Sequence, residues 1–110
     1  MRKIFVELKK LVDQLDRATV ALERNATAET AQCQACLLTR AVFTEFYSVC
    51  EFNGKIDEPF RTRIDHLFSR IRAVIPKGRY KKSVDGRHKE FTAFCEDLAS
   101  RAEDDTVVCI

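Results

Sequence analysis

From Ile4 to Leu22 the apolar residues return in steps of four and three, at positions 4, 8, 11, 15, 18 and 22. That spacing constrains the fold more than any other feature, because it lays one continuous stripe along a helix and cannot be read as a strand. Phe5 and Val12 widen the stripe, and Asp13 and Arg17 stand one turn apart on the outer face, a favourable orientation for a helical ion pair. A helix over about residues 2–24 is predicted, roughly 33 Å long. Asn25 to Thr27 ends it and offers Thr27 as the next N-cap.

The same argument predicts three more helices. Residues 28–52 carry one stripe at Ala28, Ala31, Ala35, Leu38, Val42, Phe46 and Val49, and another at Cys33, Cys36, Leu37, Phe43, Tyr47 and Cys50. A helix apolar on two faces is either the most enclosed member of a bundle or presents its spare face to a partner. Asn53-Gly54 closes it with a left-handed cap. Asp57-Glu58-Pro59 then starts a third helix with a capping side chain, an acid at the positive end of the dipole and a proline in the first turn. Its apolar side runs from Phe60 to Ile75, where Pro76 stops it. Residues 76–86 read as a long basic connection, and a fourth helix follows over 86–103, with Phe91, Phe94, Cys95, Leu98, Ala99 and Ala102 inward. Short connections make neighbouring helices antiparallel. The expected fold is all-α, a single-domain up-and-down four-helix bundle over residues 1–104, with a short C-terminal tail at 105–110.

Size and composition narrow the class further. At 110 residues with 45% apolar and 33% charged residues, the chain suits one domain with a real core and not a disordered segment. Its longest uncharged stretch, Thr30 to Thr39, falls well short of the roughly 20 residues a bilayer span needs. Charges interleave its first dozen residues, so no secretory signal is read there, and the cytoplasm is the expected compartment. Five cysteines are an odd number in a helix-rich chain, which favours free thiols over a disulfide scaffold. Asn25-Ala26-Thr27 matches a glycosylation acceptor but is explained as a turn between helices. Cys33 and Cys36 have a metal-knuckle spacing without a second pair in register, so they read as core or seam thiols, and no metal or other cofactor is expected.

Charge is sorted along the chain. Residues 61–89 hold ten Lys or Arg against two acids, a local +8 inside a total of only +2. On the third helix, at about 100° per residue, Arg63, His66 and Arg70 fall on one edge of the apolar stripe and Arg61 and Arg72 on the other. Such arginines commonly pair with acids of a neighbouring helix, and Glu90, Glu96 and Asp97 on the fourth helix are candidates. Asp65 stands one turn from Arg61. Lys77, Arg79, Lys81, Lys82, Arg87 and Lys89 face only Asp85 in sequence. Like charges gathered this way cost some stability unless an anionic surface lies against them, and Tyr80 among them supplies a ring able to stack on a base.

Arg61 and His66, spaced R-x4-H, resemble the short motif of HEPN ribonucleases, helical enzymes in which Arg and His act on a phosphodiester across a dimer. The resemblance spans six residues, with Thr62 where a polar residue follows the Arg, and it implies a ribonuclease reading. On one helix the two side chains point about 140° apart. Otherwise the chain has no phosphate-cradling glycine loop and no carboxylate pair in an apolar setting. Cys95 alone among the thiols lies near a cationic stretch, and Val107-Val108-Cys109-Ile110 is not a prenylation box.

The expectation from sequence is therefore a non-catalytic bundle whose basic face engages an anionic partner, RNA or DNA first. Arg63, Arg70, Lys77, Arg79, Lys81, Lys82, Arg87 and Lys89 would contact phosphates, and Tyr80 would stack. The alternative is a protein-interaction module, an adaptor, inhibitor or immunity-type bundle. Its apolar second helix would form a homodimer or grip another helical protein.

Overall fold

In the computed structural model, which describes the backbone of residues 3–108 and the side chains of residues 5–101, the periodic segments are all helical. They are α1 (Lys3–Arg24), α2 (Glu29–Asn53), α3 (Glu58–Val74) and α4 (Arg79–Val108). The protein is an all-α four-helix bundle. Gly54, at φ 71°, ends α2 in the left-handed conformation and donates its N–H to Cys50 O, a geometry that favours glycine. Asp57 caps α3 by accepting from Phe60 N at 3.2 Å, and Ile75 turns extended before Pro76.

Three local expectations are corrected. Ala28, not Thr27, stands at the N-cap of α2 and contributes no side-chain bond; Thr27 Oγ1 instead donates to Asn25 Oδ1 at 3.2 Å, and Gln32 Nε2 closes the turn on Ala26 O at 2.9 Å. The largest correction concerns residues 76–86. The connection is only Ile75 to Gly78, and α4 begins at Arg79, because Val84 is fully buried and Tyr80 packs on the core one turn earlier. Gly86 sits inside the helix, a tolerable cost of about 1 kcal/mol relative to Ala. At the other end α4 continues through Val108, past the expected boundary at 103–104, and Cys109 and Ile110 lie outside the described residues.

Helix directions alternate, yet the order around the bundle is α1, α2, α4, α3. Phe5 stacks on Phe60, Arg63 reaches Asp13 and Asp16, and Arg70 reaches Glu23, so α1 and α3 run parallel side by side. Phe43 meets Phe91 and Tyr47 meets Phe94, which makes α2 and α4 parallel as well. The four-residue link from Gly54 to Asp57 holds α2 and α3 close across the short diagonal, and among the described residues the α1 and α4 backbones do not come together. The result is flattened, 54 × 29 × 17 Å.

Inside, Leu8, Val12, Leu15 and Leu22 of α1 meet Val42, Phe46 and Val49 of α2 and Ile64, Phe68 and Ile71 of α3, all fully buried. Phe91 of α4 inserts at the centre, with its ring centroid 5.2 Å from Phe46 and 5.4 Å from Phe68. Buried Thr19 and Thr39 donate to the carbonyls of Leu15 and Ala35 at 2.7 and 2.8 Å, so neither hydroxyl is left unsatisfied. Among the described residues no helix is long and apolar enough to cross a membrane.

Candidate functional site

The sorted charge of residues 61–89 is divided by the packing. The helical register sends Arg63 and Arg70 toward α1, as the spacing implies, and there they meet α1 carboxylates in place of the expected acids of α4. Arg63 Nη2 donates to Asp13 at 2.9 Å and Asp16 at 3.3 Å. Arg70 forms a two-pronged pair with Glu23, its Nε donating at 3.0 Å. Lys9 and Arg63 hold the Asp13 carboxyl below its ordinary value, and Arg70 does the same to Glu23. Arg61 on the opposite edge donates to Glu58 at 2.7 Å instead of Asp65.

Asp65 belongs to a part-buried polar cluster between α3 and α4, of which only His88 is buried. His88, 8% exposed, lies edge-on to Phe68. Arg72 Nη1 approaches its Nδ1 at 3.0 Å and Asp65 Oδ1 its Nε2 at 2.7 Å. A guanidinium only donates, so Nδ1 is the acceptor and Nε2 carries the hydrogen given to Asp65. Both ring nitrogens are thereby engaged. Arg72 Nε also donates to Asp85 at 2.8 Å, and Lys81 Nζ reaches Asp85 at 3.5 Å and Arg72 O at 3.3 Å. Arg87 pairs with Glu90 at 3.0 Å.

The expected phosphate-binding set thus separates. Arg63, Arg70, Lys81 and Arg87 are held by carboxylates in half-buried positions, whereas Lys77, Lys82 and Lys89 form no ion pair among the described residues. Arg79 lies between these cases: its pair with Glu29 spans 3.4 Å with both side chains about three-quarters exposed, a geometry in which solvent screens most of the attraction. Tyr80 accepts from Arg79 at 2.9 Å, donates to Glu29 at 3.4 Å and packs on the core, an arrangement that ties down the ring expected to stack. Arg79, Lys81 and Lys82 crowd the first turn of α4, which contains no acid, although the helix dipole favours negative charge there.

The two residues of the ribonuclease resemblance lie apart in the chain. Arg61 borders a 440 Å³ cleft between α3 and α4 lined also by Glu58, Asp65, Cys95 and Glu96, while exposed His66 lies on the α1 side of α3, near Glu23. Within one chain the two residues occupy opposite edges of α3. Burial pushes the Cys95 thiol up to about 11, the reverse of what a nucleophile needs. Among the described residues no three His, Cys, Asp or Glu side chains gather as a metal site.

The second stripe of α2 is where the fold leaves apolar surface in water. Cys36 and Cys50 are buried, but Leu37 is 55% exposed, Tyr47 44% and Phe52 69%. From Thr30 to Ser48 the exposed residues are Thr30, Gln34, Leu37, Arg40, Thr44, Tyr47 and Ser48, with Arg40 the one charge among them. The sequence signal was present as a doubly apolar helix; what it did not show was that Cys36, Phe43 and Cys50 of the second stripe turn to the core while Leu37 and Tyr47 stay outside. Compared with known protein families, curated proteins and solved structures, the chain matches none of them.

Proposed function

We propose that this protein is a non-catalytic interaction module that docks a protein partner on the outer face of α2. The observation that carries the reading is the composition of that face: nearly five turns of helix with one exposed charge and with Leu37 and Tyr47 in solvent. Charge depletion with aromatic and aliphatic enrichment is the compositional mark of an interface core. The engaged nitrogens of His88 and the raised Cys95 thiol favour a non-catalytic role. A photo-crosslinking residue at position 37 tests the reading, with the same residue at Ser69 on the outside of α3 as control. The expected result is a discrete adduct from 37 alone, whose partner, once purified, binds the protein at least tenfold more weakly after Leu37→Asp. Equal labelling from both positions, or binding indifferent to Leu37→Asp, overturns it.

A second reading rests on the cationic first turn of α4. Lys77, Arg79 and Lys82, with Lys89 two turns further on, support an anionic partner, nucleic acid first. It ranks below the protein-partner reading because the other cations of the region already have carboxylates. Neutralising about four phosphates predicts a log-log salt slope of about −3 to −4 in a binding titration. A flat plot rejects it.

A further inference from the structure

The outer seam of α2 is self-complementary, and we propose that its partner is a second copy of this chain, docked antiparallel through α2; the inference rests on the protein-partner reading above and names the occupant. Cys33, Leu37, Arg40, Thr44, Tyr47 and Glu51 follow one another in steps of four, three, four, three and four. That is the spacing of a two-helix seam. All but Cys33 are exposed, and they lie on the side of α2 opposite buried Ala35, Val42, Phe46 and Val49.

Charge selects the register. Arg40 and Glu51 have no ion pair among the described residues, and they stand equally far on either side of the midpoint between Thr44 and Tyr47. Two copies related by a two-fold axis at that midpoint set Arg40 of each against Glu51 of the other and Thr44 against Tyr47, because an isologous contact pairs residue i with j and j with i. Leu37 then falls beside the Phe52–Gly54 end of the second copy. Sliding one helix by a heptad sets Leu37 against Tyr47 but leaves Arg40 facing Thr44 and Glu51 facing Cys33, with neither charge answered. The parallel arrangement sets Arg40 against Arg40. Only the antiparallel register satisfies both charges.

One helix face per copy belongs to the small class of interfaces, below about 1,200 Å², typical of weak and transient contacts, so self-association is to be sought across about 1–100 µM. The test is sedimentation or light scattering under reducing conditions across that range, on the wild type and on Arg40→Glu and Glu51→Arg. Both positions are exposed and without ion pairs among the described residues, so helicity by circular dichroism should not change. The expected results are a wild-type dimer, single variants that self-associate at least tenfold more weakly, and recovery of the dimer when the two variants are mixed. In the mixture one chain carries acids at both positions and the other carries bases at both, so each cross-contact again joins opposite charges. A wild type that stays monomeric throughout overturns the inference while leaving the crosslinking test of a different partner intact. A dimer indifferent to both substitutions, or variants that do not recover on mixing, overturns the α2 register.

Discussion

Replacing Arg63 by Gln separates an arginine that holds the bundle together from one held ready for a ligand. Gln keeps much of the stem that lies over the core edge and removes the charge that bridges Asp13 and Asp16 at 2.9 and 3.3 Å. With all three side chains one-third to two-fifths exposed, each ion pair is discounted to about 0.2–1 kcal/mol. The two aspartates, three residues apart on α1, then repel by a few tenths of a kcal/mol more, partly relieved by Lys9 on Asp13. The expected loss is about 1–1.5 kcal/mol, a fall of about 0.5–1 M in the urea midpoint with the slope unchanged. At 1 M salt, where screening acts over about 3 Å, the loss should shrink to about half or less. Lys82→Gln, which removes a cation with no ion pair among the described residues, should stay within about 0.5 kcal/mol of wild type. A loss below about 0.3 kcal/mol for Arg63→Gln, one untouched by salt, or one matched by Lys82→Gln would refute the assignment of Arg63 to the α1–α3 seam.

Gly86→Ala should stabilise the protein by about 0.5–1 kcal/mol in urea unfolding, since α4 runs helical through residue 86 and a Cβ there meets nothing within 4 Å; destabilisation would contradict a helix at that position. The depressed carboxyls of Asp13 and Glu23 contribute stability that is complete above the ordinary carboxylate range and lost as pH falls through their lower folded values. Asp13→Asn with Glu23→Gln should accordingly cost more stability at neutral pH than at about pH 3, and equal costs at both would contradict the sign. Half-buried Cys33 should react with a maleimide before buried Cys95, whose thiol at about 11 leaves roughly one part in a thousand as thiolate at about pH 8; mass-mapped labelling that finds Cys95 first would refute the burial argument.

Local chemistry was legible wherever one residue decides its own conformation. The stripe through Leu8, Leu15 and Leu22, the left-handed cap at Gly54, the Asp57 cap and the stop at Pro76 all act within a turn or two of the chain, so spacing and residue type carried the four helices and their alternating directions. The start of α4 was written in the spacing of Tyr80, Val84, His88 and Phe91, but a glycine at 86 and a run of cations suggested a loop. Burial of Val84 outweighs both. Helical register also sorted the α3 arginines onto two edges correctly.

What charge does at a surface is a different matter, because it depends on groups distant in sequence. Arg63 and Asp13 are fifty positions apart and 2.9 Å apart in space, and only the α1, α2, α4, α3 order of packing brings α1 acids, not α4 acids, to that edge. The chain by itself therefore determined the helices, their amphipathic faces and the surplus of positive charge between residues 61 and 89. Tertiary structure alone decided which cations are neutralised and that Leu37 and Tyr47, of all the second α2 stripe, are left in water, since both depend on which neighbour each helix face meets.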